Sequence, residues 1–180
     1  MKLILASLVA IIISSTSLNA QSVVPAEKMA RKWVRTKSMV EPKVETRRTK
    51  SLKGVEVEIM EVKVDADSKE SFPNLQFALD SDKLEGATTY KQLEEIAKAM
   101  IKVGDEKFLI EGHTCDLGGE KHNKDLSHRR AKSVIAELVR LGVPATRLQS
   151  LGFGAEQPLV ENTSEANRVK NRRVQIFRKV

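Results

Sequence analysis

The chain has 180 residues, 41% of them hydrophobic, which suits one domain with extensions and is too short for two of ordinary size. That apolar share excludes a chain disordered throughout, and a single cysteine excludes an internal disulfide. The formal net charge of +7 is concentrated in residues 21–53, which hold ten Lys/Arg against three Glu, while the remainder to the C-terminus is close to balance.

Residues 1–20 have the layout of a secretory signal peptide. Lys2 supplies the positive start, Leu3 to Ile13 an apolar run broken only by Ser7, and Leu18-Asn19-Ala20 a small-residue cleavage point. Cleavage after Ala20 would leave Gln21 first. The run is shorter than the roughly twenty residues of a spanning helix, and no later segment is apolar enough to cross a bilayer. A lipid anchor would need a cysteine just after the signal, and the only cysteine is Cys115. Export is therefore expected, with no transmembrane segment in the mature chain.

Residues 21–53 are basic and polar, with Pro25 and Pro42, and read as a flexible arm. An exported basic arm points to an anionic envelope surface rather than to nucleic acid, or its charges serve only to keep it solvated. Residues 54–70 form an extra strand region. Val55, Val57 and Ile59 alternate with polar neighbours, and Val62 and Val64 continue after a phase slip at Glu61 that suggests a bulge or turn.

From residue 71 onward the pattern becomes that of one mixed domain. Leu75, Phe77 and Leu79 alternate as a short strand. Thr88 to Val103 predicts a helix, with Leu93, Ile96, Ala97 and Met100 on one stripe and Thr88 or Thr89 as its cap. Lys107 to Glu111 is a compact strand running into the glycine-rich segment from Gly112 to Gly119. Asn123 is placed to cap a long helix reaching Leu141, with Ala131, Val134, Ile135 and Leu138 as its buried stripe. Gly142 and Pro144 end it. Arg147 to Phe153 is a further strand, Pro158 to Asn171 a polar loop or short helix, and Arg172 to Phe177 the last strand. The order predicts an α+β sandwich of βαβαββ type, a mixed four-stranded sheet with two main helices on one face.

The run from Gly112 to Pro158, followed by Asn171-Arg172-Arg173-Val174, resembles the OmpA C-terminal domain family, which includes outer membrane protein A, peptidoglycan-associated lipoprotein and MotB. The resemblance rests on several signatures in order: Phe77 with Leu84, Gly112-His113-Thr114, Asn123, Leu126-Ser127 with Arg130-Ala131, Gly152-Phe153-Gly154, and the final Asn-Arg-Arg-Val. It covers roughly residues 75–177 and implies noncovalent binding of the diaminopimelate-type stem peptide of peptidoglycan, without catalysis. Such a peptide presents a carboxylate, which a guanidinium grips with two parallel bonds, and an ammonium, which an acid neutralises.

Carried onto this sequence, the resemblance assigns the guanidinium to Arg130. Asn123 takes the helix-start position, and Thr114 and Leu126 shape the pocket. Cys115 stands where the family usually has an aspartate, and Asp116 follows one residue later as a candidate replacement. Ala78 stands where many members carry an acid, and Asp80 is the candidate to compensate. The expected role is a wall tether in the periplasm or cell envelope, associated with the outer membrane. The alternative is an envelope interaction or assembly protein that keeps the fold and has lost or altered wall binding.

His113, Cys115, Asp116 and His122 lie close enough in sequence to suggest a metal site, but their spacing fits no standard zinc pattern. A Cys115 nucleophile with His113 or His122 as base lacks any marked oxyanion site. The expectation is therefore neither enzyme nor cofactor.

Overall fold

The computed structural model describes residues 22–38, 43–53 and 56–180. The segment read as a signal peptide lies outside the described residues. Helix α1 spans Ala26–Ser38. Strands β1 (Val44–Lys53) and β2 (Glu56–Asp65) form an antiparallel hairpin. Then follow β3 (Glu70–Phe72), a two-residue ladder of β4 (Gln76–Phe77) with β5 (Leu84–Glu85), and helix α2 (Ala87–Lys102). Strand β6 (Phe108–His113), helix α3 (Glu120–Arg140), strand β7 (Leu148–Gly154), helix α4 (Glu165–Asn171) and strand β8 (Arg173–Arg178) complete the chain.

The main sheet has the order β3-β8-β6-β7. Strands β6 and β7 run parallel, and β8 is antiparallel to both β6 and β3, so the sheet is mixed and four-stranded as the sequence predicted. Alternation along β6 sends Phe108 and Ile110 to one face, Leu109 and Glu111 to the other. The first face meets α2 and α3 through Leu93, Ile96, Met100, Val134 and Leu138, all fully buried.

Within the arm of residues 21–53 expected to be flexible, the described residues 22–38 and 43–53 hold helix α1 and strand β1. Met29, Ala30 and Trp33 recur at helical spacing and make α1 a third helix on that apolar face. The Trp33 ring lies 4.8 Å from that of Phe108, and its Nε1 donates to the Ser68 carbonyl at 3.0 Å. Three apolar residues among many charges were enough, because one buried face suffices for a helix whose other sides stay in water.

Hairpin β1–β2 covers the opposite face of the sheet. Val62 and Val64 pack with Leu109, Leu151, Phe153 and Phe177 in a second, smaller core. The bulge expected at Glu61 does not occur, since pairing runs without a register shift from Val44↔Asp65 to Lys53↔Glu56.

The edge strand also differs from expectation. It is β3, ending at Phe72 just before Pro73, and not Leu75–Leu79; Leu79 is 98% exposed. Neither Thr88 nor Thr89 caps α2. Gly86 is its N-cap residue, and Thr89 Oγ1 instead accepts from the Gln76 amide at 3.0 Å. At the far end of α3, Gly142 adopts φ +97°, and the Val143 amide closes onto the Leu138 carbonyl.

Two glycines fix how α3 lies on the sheet. A Cβ at Gly112 would stand 2.0 Å from the Ser127 carbonyl oxygen, and one at Gly152 would stand 2.5 Å from the His128 amide nitrogen. Backbone therefore rests on backbone where α3 crosses β6 and β7. The first turns of α3 are held against the C-terminal ends of these parallel strands, beside the loop that follows β6.

Candidate functional site

A cleft of about 770 Å³ opens at those strand ends. Its walls are the β4–β5 connection, the loop after β6, the N-terminal half of α3 and the α4–β8 junction. Thr114, Cys115, Asn123, Leu126, Arg130 and Asp80, all singled out from the sequence, line it together.

Arg130 projects from α3, one turn beyond Leu126. Its guanidinium lies 5.0 Å from the Phe77 ring centroid, and its Nε donates to the Ser81 carbonyl at 2.9 Å. These contacts leave the two terminal nitrogens without a carboxylate among the described residues. Burial lowers its pKa, and the neighbouring Asp80 charge works against that. An arginine so placed remains charged. Its planar fork is held in one orientation, a geometry that suits an anion.

Asn123 does not cap α3. The helix begins at Glu120 behind Gly119, and Asn123 is buried within the first turn. Its Nδ2 donates back to the carbonyls of Leu117 (3.0 Å) and Cys115 (3.3 Å), so it fixes the shape of the loop. Thr114 is buried, with its amide bonded to the Gly154 carbonyl at 2.9 Å. Its Oγ1 has no hydrogen-bond partner among the described residues, and neither has Nδ1 of the neighbouring His113.

The two candidate acids part company. Asp116 points to the other side of its loop, where Arg168 Nε reaches its carboxylate at 3.2 Å and a separate hollow of about 300 Å³ begins. The replacement acid expected at Asp116 thus belongs to another surface. Asp80 lines the cleft beside Arg130, its Oδ1 2.6 Å from His122 Nε2. Its φ of +50° lies in the left-handed region, which Asp tolerates better than most residues, and such outliers gather at functional sites.

Cys115 is buried on the cleft wall. Its Sγ accepts from Arg172 Nη1 at 3.7 Å. Among the described residues, no three His, Cys, Asp or Glu side chains gather as a metal cluster would require.

Two cationic lining residues escaped the sequence reading. Arg172 follows α4, bonded through Nη2 to Glu165 at 2.5 Å. Arg173 opens β8 with its guanidinium spent on carbonyls, at 3.1 Å from Asn171 and 3.0 Å from Gln157, and burial lowers its pKa to about 10. The signal was present in the Asn171-Arg172-Arg173-Val174 run, where strand alternation drew the eye to Val174 and Ile176. The deeper cleft is thus cationic, while Asp80 and Glu165 sit exposed at its rim.

Behind the loop lies a buried ionic network. Arg47 of β1 donates to Glu111 at 2.6 and 2.7 Å and is stacked between Phe153 and Phe177, 5.1 Å from each centroid. Glu111 is fully buried and its second oxygen lies 3.4 Å from His113 Nε2. Burial pushes the Glu111 pKa up, but the bonds from Arg47 and His113 outweigh it and the net direction is down. Burial lowers the His113 pKa to about 4, so this imidazole is neutral at pH 7.

A family model described as the OmpA family matches residues 76–172. The outer-membrane lipoprotein YfiB of Pseudomonas aeruginosa is 42% identical over 85 residues, covering 47% of this chain and 51% of that protein. The peptidoglycan-binding protein ArfA of Mycobacterium tuberculosis is 36% identical over 87 residues, 48% of this chain and 27% of that one. The match thus spans 51% and 27% of these two relatives' own lengths. Among solved structures, a periplasmic domain of Helicobacter pylori MotB superposes with a TM-score of 0.55 at 30% identity, covering 61% of this chain and 79% of the other.

Proposed function

Because the chain belongs to the OmpA family, we propose that its cleft binds peptidoglycan noncovalently and tethers this protein to the wall in the bacterial cell envelope. The ligand is the diaminopimelate-type stem peptide, whose carboxylate is taken by Arg130. The observation that carries this reading is the Arg130 guanidinium, steered by Phe77 and the Ser81 carbonyl into a cleft where no carboxylate of the described residues meets its terminal nitrogens. A planar fork held in this way suits a carboxylate better than a flexible lysine would, because its geometry is already fixed.

Asp80 takes the ammonium at the rim, displacing His122. Asn123 keeps the loop in shape, Thr114 offers its free hydroxyl, and Leu126 closes the apolar side. No bond is made or broken in this reading, and no metal or cofactor is required. The similarity to a protein named for peptidoglycan binding, ArfA, supports the same ligand class. The similarities to YfiB and MotB support an envelope or periplasmic setting, with outer-membrane association as the narrower expectation.

The test is co-sedimentation with purified sacculi. The wild type is expected in the pellet, and Arg130→Ala in the supernatant, with the loss of one charge-assisted pair weakening binding by about tenfold to a hundredfold. Equal retention of both proteins would remove Arg130 from the site. A wild type that stays in solution would favour the second reading, an envelope assembly protein without wall binding. Cys115 on the loop where the family usually has an aspartate, with Asp116 engaged by Arg168, is the observation on that side.

A further inference from the structure

We infer that the cleft holds a second carboxylate-binding position, formed by Arg172 and Thr114 beside Cys115, so that it recognises a ligand carrying two carboxylates rather than one. The inference rests on the wall-binding reading and narrows it.

The inner wall has two unmet needs. Thr114 is only 4% exposed, yet its Oγ1 finds no partner among the described residues. A buried hydroxyl left in that state is costly unless something arrives to complete it. Next to it, one arm of Arg172 is occupied only by the Cys115 sulfur at 3.7 Å, a long contact to a weak acceptor. An anionic oxygen is the better acceptor for both groups, since it takes a charge-assisted bond from the guanidinium and a second bond from the hydroxyl. Arg172 and Arg130 line the same cleft from opposite elements, and the Arg172 charge adds to burial in lowering the Arg130 pKa. Two like charges held together in this way favour a dianion over a monoanion.

The other arm of Arg172 reaches Glu165 at 2.5 Å, and Glu165 is exposed at the rim. Glu165 therefore competes with the second carboxylate of a ligand. A stem peptide of the diaminopimelate type has the matching chemistry, with one carboxylate on its diaminopimelyl residue and another on its D-glutamyl residue. The first goes to Arg130 and the second to Arg172.

The experiment uses two synthetic tripeptides, L-Ala-γ-D-Glu-diaminopimelate, both amidated at the C-terminal carboxyl of the peptide-linked diaminopimelyl centre so that this residue keeps one carboxylate, with the D-glutamyl carboxyl either free or converted to the amide. Calorimetry compares their binding to the purified wild type, Arg172→Gln and Glu165→Gln. The wild type is expected to prefer the free acid by about tenfold, as loss of one charged hydrogen-bonded contact implies. Arg172→Gln should bind both peptides alike, at the wild-type level for the amide. Glu165→Gln should bind the free acid several-fold more tightly and the amide as the wild type does. That gain cannot arise from misfolding, so it decides the matter if Arg172→Gln proves unstable. Equal wild-type affinity for the two peptides, a preference that survives Arg172→Gln, or no gain in Glu165→Gln overturns the second position while leaving wall binding intact. A wild type that binds neither peptide overturns the wall-binding reading and this inference with it.

Discussion

The two faces of the main sheet are closed by opposite means. On one face, α1, α2 and α3 lay down aromatic and aliphatic side chains, with Trp33, Ile96 and Leu138 among those fully buried. On the other, the β1–β2 hairpin brings Val62 and Val64 and a buried ion pair, Arg47 with Glu111 at 2.6 Å. Hydrocarbon burial is non-directional and tolerates repacking, whereas a buried ion pair is satisfied in one geometry and depends on both partners. The helical face should therefore fail gradually and independently of pH, and the hairpin face abruptly and with protonation.

The largest effects test that contrast directly. Trp33→Ala and Arg47→Ala should each destabilise the protein by about 3–5 kcal/mol in urea unfolding, the first by leaving a cavity, the second by stranding a buried carboxylate. They separate on repair. Adding Glu111→Gln should restore much of the loss in Arg47→Ala and none in Trp33→Ala. If Glu111→Gln repairs neither, the charge of Glu111 is not what distinguishes the faces.

An intermediate effect comes from pH. The folded-state pKa of His113 lies below its ordinary value, so the folded protein binds fewer protons than the unfolded chain between pH 6.5 and about 4. The stability contributed is complete above pH 6.5 and is lost as pH falls toward 4, on the order of 3 kcal/mol in total. The lowered carboxylate of Glu111 works in the same direction, its contribution present above the ordinary carboxylate pKa and lost as pH falls through the lowered value. Thermal unfolding from pH 7.5 to 4 should show the first decline in the wild type, and His113→Gln should flatten it. An unchanged slope in that variant would assign the decline elsewhere.

The smallest effect sharpens the comparison from outside. Arg48 and Glu61 pair across the same hairpin at 2.8 Å, but both are exposed. Arg48→Gln should change stability by less than about 0.5 kcal/mol, as exposed pairs do. A loss comparable to that of Arg47→Ala would mean that burial is not what gives the inner pair its weight.

The sequence was legible where one physical signal dominated. Phe108 and Ile110 alternate, Ala131, Val134 and Leu138 form a stripe, and Gly142 ends α3, so sheet, helices and order could be read. The residues of the cleft followed from resemblance, and Arg130, Asp80, Thr114, Cys115, Asn123 and Leu126 do meet there. What could not be read was written in charge. Arg47 looks like any solvated base until Glu111 and two phenylalanines surround it, and Trp33 was hidden among lysines and arginines. The side of the loop on which Asp116 emerges depends on backbone direction, which residue order alone does not reveal. Leu79 misled for the opposite reason, an apolar residue in strand phase that solvent receives because the short ladder leaves nothing to cover it.

The backbone contacts at Gly112 and Gly152 have a consequence for drift over generations. Where side chains separate a helix from a sheet, each exchange of volume shifts the helix slightly, and a site built on it wanders as its core changes. Here the seat of α3 at Ser127 and His128 is set by main-chain atoms, common to every residue type. Exchanges at Leu93, Ile96 or Val134 are absorbed farther along the helices, and the height of Arg130 above the strand ends is inherited unchanged. The freedom of one region to vary is secured by the absence of a single carbon at each of two positions in another.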